Sequence, residues 1–169
     1  MSIKDHIAVA GTDATTGCAQ HCFNPDTEDA NIVMSLKNAG AIPFVKSNVP
    51  QILMANETDN AIFGTAKNPW DPTRSPGGSS GGEAGLIASR CSPLGLGSDI
   101  GGSIRMPASE CGIYGLKPTP ERHSTEGVYT AASNRQNAID SHIHGCIGPM
   151  GTCVEDLALT MRTMFSEEA

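Results

Sequence analysis

Serine occurs at three positions whose surroundings suit a reacting hydroxyl. Ser79 and Ser80 are flanked by glycines in Ser75-Pro76-Gly77-Gly78-Ser79-Ser80-Gly81-Gly82, and Ser103 follows two more in Gly97-Ser98-Asp99-Ile100-Gly101-Gly102-Ser103-Ile104-Arg105. Glycine loses much entropy on ordering, so such runs serve where backbone takes unusual dihedrals or passes close to a ligand. A flexible Gly/Ser linker is disfavoured for the first run, because apolar, patterned sequence resumes directly after it. In the second run a strand leads into a glycine turn and a serine opens a helix. Backbone N–H groups in such a turn can converge on one point, and a helix start adds partial positive charge. Those are the parts of an oxyanion hole beside a nucleophilic hydroxyl. Taken by itself, a serine N-cap on a strand-to-helix turn is the simpler account of that segment.

A nucleophilic serine needs a base. The histidines (His6, His21, His123, His142 and His144) stand in no recognisable triad context. Lys4 is the other candidate, but a lysine acts as a base only when burial makes it neutral. Read from the residues alone, a lysine so near the start of the chain is a solvated charge. Two other chemistries fit less well. Gly77-Gly78-Ser79-Ser80-Gly81 has the form of a nucleophile elbow, which needs a preceding strand; Asn68-Pro69-Trp70-Asp71-Pro72-Thr73-Arg74-Ser75-Pro76 carries too many prolines and turn residues to be one. A phosphate-binding loop would need Gly-Lys-Ser/Thr after the glycines, and Gly95-Leu96-Gly97-Ser98-Asp99-Ile100 lacks the third glycine of the dinucleotide fingerprint.

The elements that must position these residues are partly legible. Residues 2–9 alternate weakly, as a short strand would, and Gly11–Thr16 reads as loop. A helix is expected from Thr27, with Ile32, Val33 and Leu36 on one face and Gly40 as its stop. Ala41–Val45 reads as a buried strand, and this helix–Gly–strand order is typical of α/β folds. Asn56–Pro76 is turn-rich, Glu83–Ser89 a short helix, Leu94–Gly97 a strand, and Ser103–Cys111 a helix. Lys117–Asn137 looks irregular and exposed. Thr152-Cys153-Val154-Glu155 has the form of a capping box before a helix with Val154, Leu157, Ala158 and Met161 at helical spacing.

Composition bounds the function. The 169 residues suit one domain without internal boundary. Apolar residues are 38% and aromatics only 4%, so a core exists but is thin. Nineteen glycines and eleven prolines together exceed the roughly 12% share of average proteins, concentrated between Pro69 and Pro120. The net charge of −7 comes without a basic stripe, which excludes a nucleic-acid binder. No apolar run approaches a membrane span, and Lys4, Asp5 and His6 interrupt the only early apolar stretch, so no signal peptide is read. Cys18, Cys22, Cys91, Cys111, Cys146 and Cys153 form no CxxC pair and read as free thiols of a reducing compartment.

Three segments together resemble the amidase-signature family: Ser2-Ile3-Lys4-Asp5, Gly77-Gly78-Ser79-Ser80-Gly81-Gly82, and Asp99-Ile100-Gly101-Gly102-Ser103-Ile104-Arg105-Met106-Pro107. Cys111-Gly112-Ile113-Tyr114-Gly115-Leu116-Lys117-Pro118-Thr119, Gly148-Pro149-Met150 and the Val154-Glu155-Asp156-Leu157-Ala158 helix continue the resemblance over nearly the whole chain. Within the family the chain is most similar to animal fatty-acid amide hydrolases, in Gly40-Ala41-Ile42-Pro43-Phe44-Val45, Asn48-Val49-Pro50-Gln51, Asn68-Pro69-Trp70 and Ser92-Pro93-Leu94-Gly95-Leu96-Gly97.

The resemblance implies an α/β fold, a mixed twisted sheet covered by helices, of which this chain is the central part, incomplete at both ends. It implies a Ser–Ser–Lys triad: Lys4 as base, Ser79 as relay after a cis peptide bond, and Ser103 as nucleophile. It implies an oxyanion hole at Ile100, Gly101, Gly102 and Ser103, supporting roles for Ser80 and Asp99, and substrate contacts at Leu53 and Ser79. No cofactor and no metal are expected. The expected partner is a small-molecule acyl amide, with a homodimer in the full-length protein. Membrane contact is expected only through regions outside this chain, in an intracellular, cytoplasmic or membrane-peripheral setting. The alternatives are a catalytically inactive fragment, or an amidase for other small amides, including a protein like the amidotransferase subunits. A lysine three residues from a chain terminus is expected to fray, which would leave the isolated chain inactive.

Overall fold

A computed structural model describes residues 1–130 and 144–165. Its frame is a five-stranded sheet in the order β2-β1-β5-β7-β6. The strands are β1 (Ser2–Lys4), β2 (Val45–Ser47), β5 (Leu94–Asp99), β6 (Tyr114–Gly115) and β7 (Cys146–Gly151); β3 (Asp59–Asn60) and β4 (Gly64–Thr65) form a separate hairpin. β1 lies between two parallel partners, with Ile3 opposite Lys46 on one side and Leu96 on the other. β5 runs antiparallel to β7 in unbroken register from Leu94↔Gly151 to Asp99↔Cys146. The sheet is therefore mixed, as the resemblance implied.

Two apolar layers sandwich it. On one face Ile3, Leu96 and Ile147 pack with Ile32, Val33 and Leu36 of α1 (Asn31–Asn38) and Met164 of α4 (Val154–Met164). On the other, Met150 packs with Ala84 and Ile87 of α2 (Gly81–Ala88) and with Ile104, Ala108 and Cys111 at and within α3 (Arg105–Cys111). Because side chains alternate along a strand, Ile3 facing α1 and α4 sends Ser2 and Lys4 to the α2 side. Lys4 and Ser2 are fully buried there. The expected fraying of Lys4 is not seen: two parallel neighbours hold β1 from both sides.

Several boundaries differ from the sequence reading. The second strand starts at Val45, not Ala41, and Ile42 and Phe44 are exposed. Pro43 has no N–H to give a ladder, and Phe44 N–H reaches Met1 O at 3.2 Å only as pairing begins. α1 starts at Asn31 because the residue before it is already committed, Ala30 N–H donating to Ala8 O (3.0 Å). β1 ends at Lys4, where the chain turns and Ile7 N–H bonds back to Lys4 O (3.0 Å). The cap of α4 falls on Cys153, so the Thr152–Glu155 capping box does not form, and the buried face is Leu157, Thr160 and Met164 while Val154 is exposed. Residues 117–130 are irregular but not all loose, since Ile7 bridges Val128 and Ala8 N–H donates to Gly127 O; residues 131–137 of that expectation lie outside the described residues. No helix among the described residues is long and apolar enough to cross a membrane.

Leu96 is fully buried at the middle of the sheet. Leu96→Ala leaves a cavity under α1 and is expected to cost about 2–5 kcal/mol of stability, read as a lower urea midpoint at unchanged m-value. A loss below about 0.5 kcal/mol, the usual range of surface changes, would show that this layer does not carry the fold.

Candidate active site

Three stretches converge on the α2 side of the sheet. β1 brings Lys4, the loop before α2 brings Ser79 and Ser80, and β5 with its following turn brings Ser98, Asp99 and Ser103. Lys4 Nζ lies 2.7 Å from Ser79 Oγ and 2.8 Å from Ser98 Oγ, with the Ser98 carbonyl at 3.5 Å. Burial strips the amine of water and pushes its pKa down to about 7, against the pull of the Glu83 and Asp99 carboxylates. In its neutral form such an amine has a lone pair, and the 2.7 Å contact lets it take the Ser79 hydroxyl proton.

The glycines of the first run are required by close approach. Gly77 has φ +80°, and a Cβ there would stand 2.8 Å from Pro107 Cα. A Cβ on Gly78 would stand 2.9 Å from the carbonyl oxygens of Ala55 and Glu57. The Gly78–Ser79 peptide bond is cis. Ser80 N–H donates to Ser103 O at 3.0 Å, which ties the two serine-bearing loops together backbone to backbone. Ser80 Oγ donates to Ser98 O at 3.3 Å and accepts from Ser98 N–H at 3.4 Å. Ser80 thus bonds the strand under the site, not the hydroxyls of Ser79 or Ser103.

Asp99 organises the second turn. Its side chain is fully buried and accepts from the N–H groups of Gly102 (2.7 Å), Ile104 (3.1 Å) and Arg105 (3.3 Å). Arg105 adds two bonds, Nε to Oδ2 and Nη2 to Oδ1, each 3.0 Å. Burial alone would raise the Asp99 pKa, but the Arg105 guanidinium and the three N–H groups outweigh it and hold the value at about 2. One consequence departs from the sequence reading: the Gly102 N–H is occupied by Asp99. The N–H groups of Ile100, Gly101 and Ser103 have no acceptor among the described residues, and Ile100 and Gly101 are exposed. The Ser103 hydroxyl, half-buried, makes no hydrogen bond with the described residues. Ser103 is brought to Ser79 through its backbone, and no side-chain bond links the two.

Leu53 lies a little apart, half-buried in a turn at φ 65°, two residues before the stretch that packs on Gly78. His21 bonds Thr15 O and Thr16 Oγ, and all six cysteines are free thiols. Sequence reasoning missed three residues. Ser98 looks like an ordinary strand serine, and nothing in its type announces a bond to Lys4. Arg105 was visible only as part of a motif. Glu83 stood in the sequence as the one charge among Gly82, Ala84, Gly85, Leu86, Ile87 and Ala88, a signal that a buried carboxylate could have been read from.

The Amidase family profile matches residues 1–169. The chain is 45% identical to the vitamin D3 hydroxylase-associated protein of Gallus gallus over 168 residues, which are 99% of this chain and 35% of that protein. It is 44% identical to fatty-acid amide hydrolase 1 of Sus scrofa, over 99% of this chain and 28% of that protein. The crystal structure of a glutamyl-tRNA(Gln) amidotransferase subunit from Thermotoga maritima superposes with a TM-score of 0.86 at 35% identity, covering 96% of this chain and 34% of that one. This chain belongs to the amidase family. It spans about a third of the length of the curated relatives it matches.

Asp99 links the site to acid stability. Its folded pKa lies below its ordinary 3.8, so its contribution is complete above that value and is lost as pH falls towards about 2. Arg105→Ala removes two of its bonds and should raise the folded value, shrinking that contribution. The expected result is a melting temperature several degrees below wild type at neutral pH, with the gap closing between pH 3.8 and about 2. A gap that persists undiminished at the acid end would show that Arg105 acts by packing alone.

Proposed function

We propose that the protein carrying this chain hydrolyses carboxylic amide bonds through a Ser103 acyl-enzyme, with Ser79 as proton relay and Lys4 as base, and that its substrates are fatty-acid amides. The observation that supports this most is the Lys4 amine, fully buried, shifted towards neutrality and 2.7 Å from Ser79 Oγ. Neutral Lys4 takes the Ser79 proton, and Ser79 takes the proton of Ser103 as its Oγ attacks the amide carbonyl. Closing this relay requires the free Ser103 hydroxyl to turn towards Ser79. The tetrahedral oxyanion is received by the N–H groups of Ile100, Gly101 and Ser103; Gly102 serves the turn by its bond to Asp99. The proton then returns through Ser79 to the leaving amine, whose expulsion needs it. Water deacylates Ser103, releasing the acid. Leu53, beside the loop that packs on Gly78, is the proposed contact for the acyl group.

The fatty-acyl preference rests on the likeness to fatty-acid amide hydrolase 1. The likeness to an amidotransferase component supports a second reading, an amidase for other small amides. Comparing an oleamide-type substrate with a short aryl amide separates the two: the first reading expects the long-chain amide to be hydrolysed with the higher kcat/KM.

The triad is tested in the full-length protein with a fluorophosphonate probe. The adduct should map to Ser103 and vanish in Ser103→Ala; an adduct on Ser79 that survives Ser103→Ala would overturn the assignment. Lys4→Ala should slow hydrolysis by roughly 10²–10⁴-fold, the usual worth of a general base. Because the base works deprotonated and its value is lowered to about 7, the wild-type rate should rise through neutrality and then level off. A Lys4→Ala enzyme with a near-normal rate at neutral pH would exclude the mechanism.

A further inference from the structure

Glu83 is a second buried charge on the same side of the sheet, and the mechanism above does not use it. It sits in the first turn of α2, four residues after Ser79, and is fully buried. Its Oε2 accepts a short hydrogen bond from Ser2 Oγ. Ser2 shares a strand face with Lys4, so the carboxylate is tied to the strand that carries the amine. A slot for it is built into β5: a side chain at Gly95 would run into Glu83 Oε2 and Ser2 Oγ. Ser47, opposite Lys4 in the register of β2, faces the same carboxylate without completing a bond. Both Ser47 Oγ and Glu83 Oε1 are thus buried without a hydrogen-bond partner. An unpaired buried carboxylate oxygen costs stability, and a residue that only tied α2 to β1 would not require a charge.

We propose that Glu83 is the buried counter-charge that controls how readily Lys4 gives up its proton, an inference that rests on Lys4 being the base. Glu83 touches no reacting atom, so it is a positioning residue. The other charges around the pair do not fill the role. Asp99 faces Lys4 from β5, but its charge is fixed by Arg105 and three N–H groups and stays ionised through neutrality. His6, just past β1, is kept neutral by burial and by Lys4 and Lys46. Lys46 on β2 is balanced by Asp5, Asp26 and Asp13 as well as Glu83. The Met1 amino group faces Glu83 from the end of β1 and bonds Ile42 O at 2.7 Å.

Of the two carboxylates that act on Lys4, Glu83 is the one that changes charge where Lys4 does, while burial also brings Lys46 down to about 8. Burial pushes its pKa up to about 7, opposed by Ser2, Ser47, Lys4 and the Met1 amino group. Two groups that titrate together share their apparent values. With one proton between them, the pair is either ammonium and carboxylate or amine and carboxylic acid. The second arrangement holds Lys4 ready as a base without an uncompensated buried charge. Ionised Glu83 does the reverse and holds the proton on Lys4. Taking away its charge should therefore move the onset of reactivity to lower pH.

The test is the pH profile of fluorophosphonate labelling at Ser103 in the full-length protein, for wild type, Glu83→Gln and Ser2→Ala. Glu83→Gln keeps shape and removes charge. Ser2→Ala removes one hydroxyl that favours ionised Glu83, and so should act in the same direction, less strongly. The expected result for Glu83→Gln is an acid limb displaced downward by about half to one pH unit, which is roughly three- to tenfold faster labelling on that limb. The high-pH plateau should stay within about twofold, since Lys4 is neutral there in both proteins. A Glu83 that merely braces α2 would lower the melting temperature and leave the limb in place. Should Glu83→Gln not fold, Ser2→Ala decides. Folded variants with unmoved limbs, or limbs moved to higher pH, overturn the proposal. A wild-type profile flat through neutrality, or no adduct on Ser103, would instead sink the base assignment itself and the inference with it.

Discussion

An amine enclosed by protein on every side is the constraint around which this structure is arranged. A fully buried ammonium without a paired anion costs several kcal/mol, and the usual escape is to shed the proton. Lys4 is placed to do so, with Ser79 and Ser98 as its hydrogen-bond partners in place of water. Everything that encloses it follows from where β1 lies. Two parallel neighbours fix its register, α1 and α4 take the Ile3 face, and the Lys4 face is closed by the glycine run that opens α2. Side chains in that run would hold the loop off the sheet and let water reach the amine.

The second turn solves a different problem, that of keeping some of its backbone N–H groups unbonded. Asp99 gathers Gly102, Ile104 and Arg105 inward around one carboxylate. With those donors drawn in, the N–H groups of Ile100, Gly101 and Ser103 are left without an acceptor among the described residues. The link Ser80 N–H to Ser103 O then seats this turn against the loop that carries Ser79. The two loops are therefore positioned by backbone bonds, by the Ser80 hydroxyl on β5 and by one buried carboxylate, while the Ser103 hydroxyl makes no hydrogen bond with the described residues.

Much of this was legible because the chemistry sits in long, ordered motifs. The glycine runs announced close backbone approach, and the structure shows what approaches: Pro107 at Gly77, and the 55–57 stretch at Gly78. Ile32, Val33 and Leu36 gave the buried face of α1 from spacing alone. What stayed hidden depended on tertiary placement. The residues alone made Lys4 a solvated charge, because no local pattern shows that a strand has partners on both sides. Ala41–Val45 read as buried, yet only Val45 joins the sheet, since Pro43 cannot donate to a ladder. Ser98 and Glu83 were missed for the same reason. Their roles come from what lies across the sheet, and neither serine nor glutamate declares that in its own sequence.

The claim that carries the account is that Lys4 is a neutral amine near physiological pH. The most direct measurement is the pH titration of its ζ-nitrogen by NMR in lysine-labelled full-length protein, assigned with Lys4→Ala. The account predicts a midpoint at about 7, far below the ordinary 10.5. A midpoint at the ordinary value would mean that Lys4 keeps its proton in the folded protein, and would contradict the reading of this site.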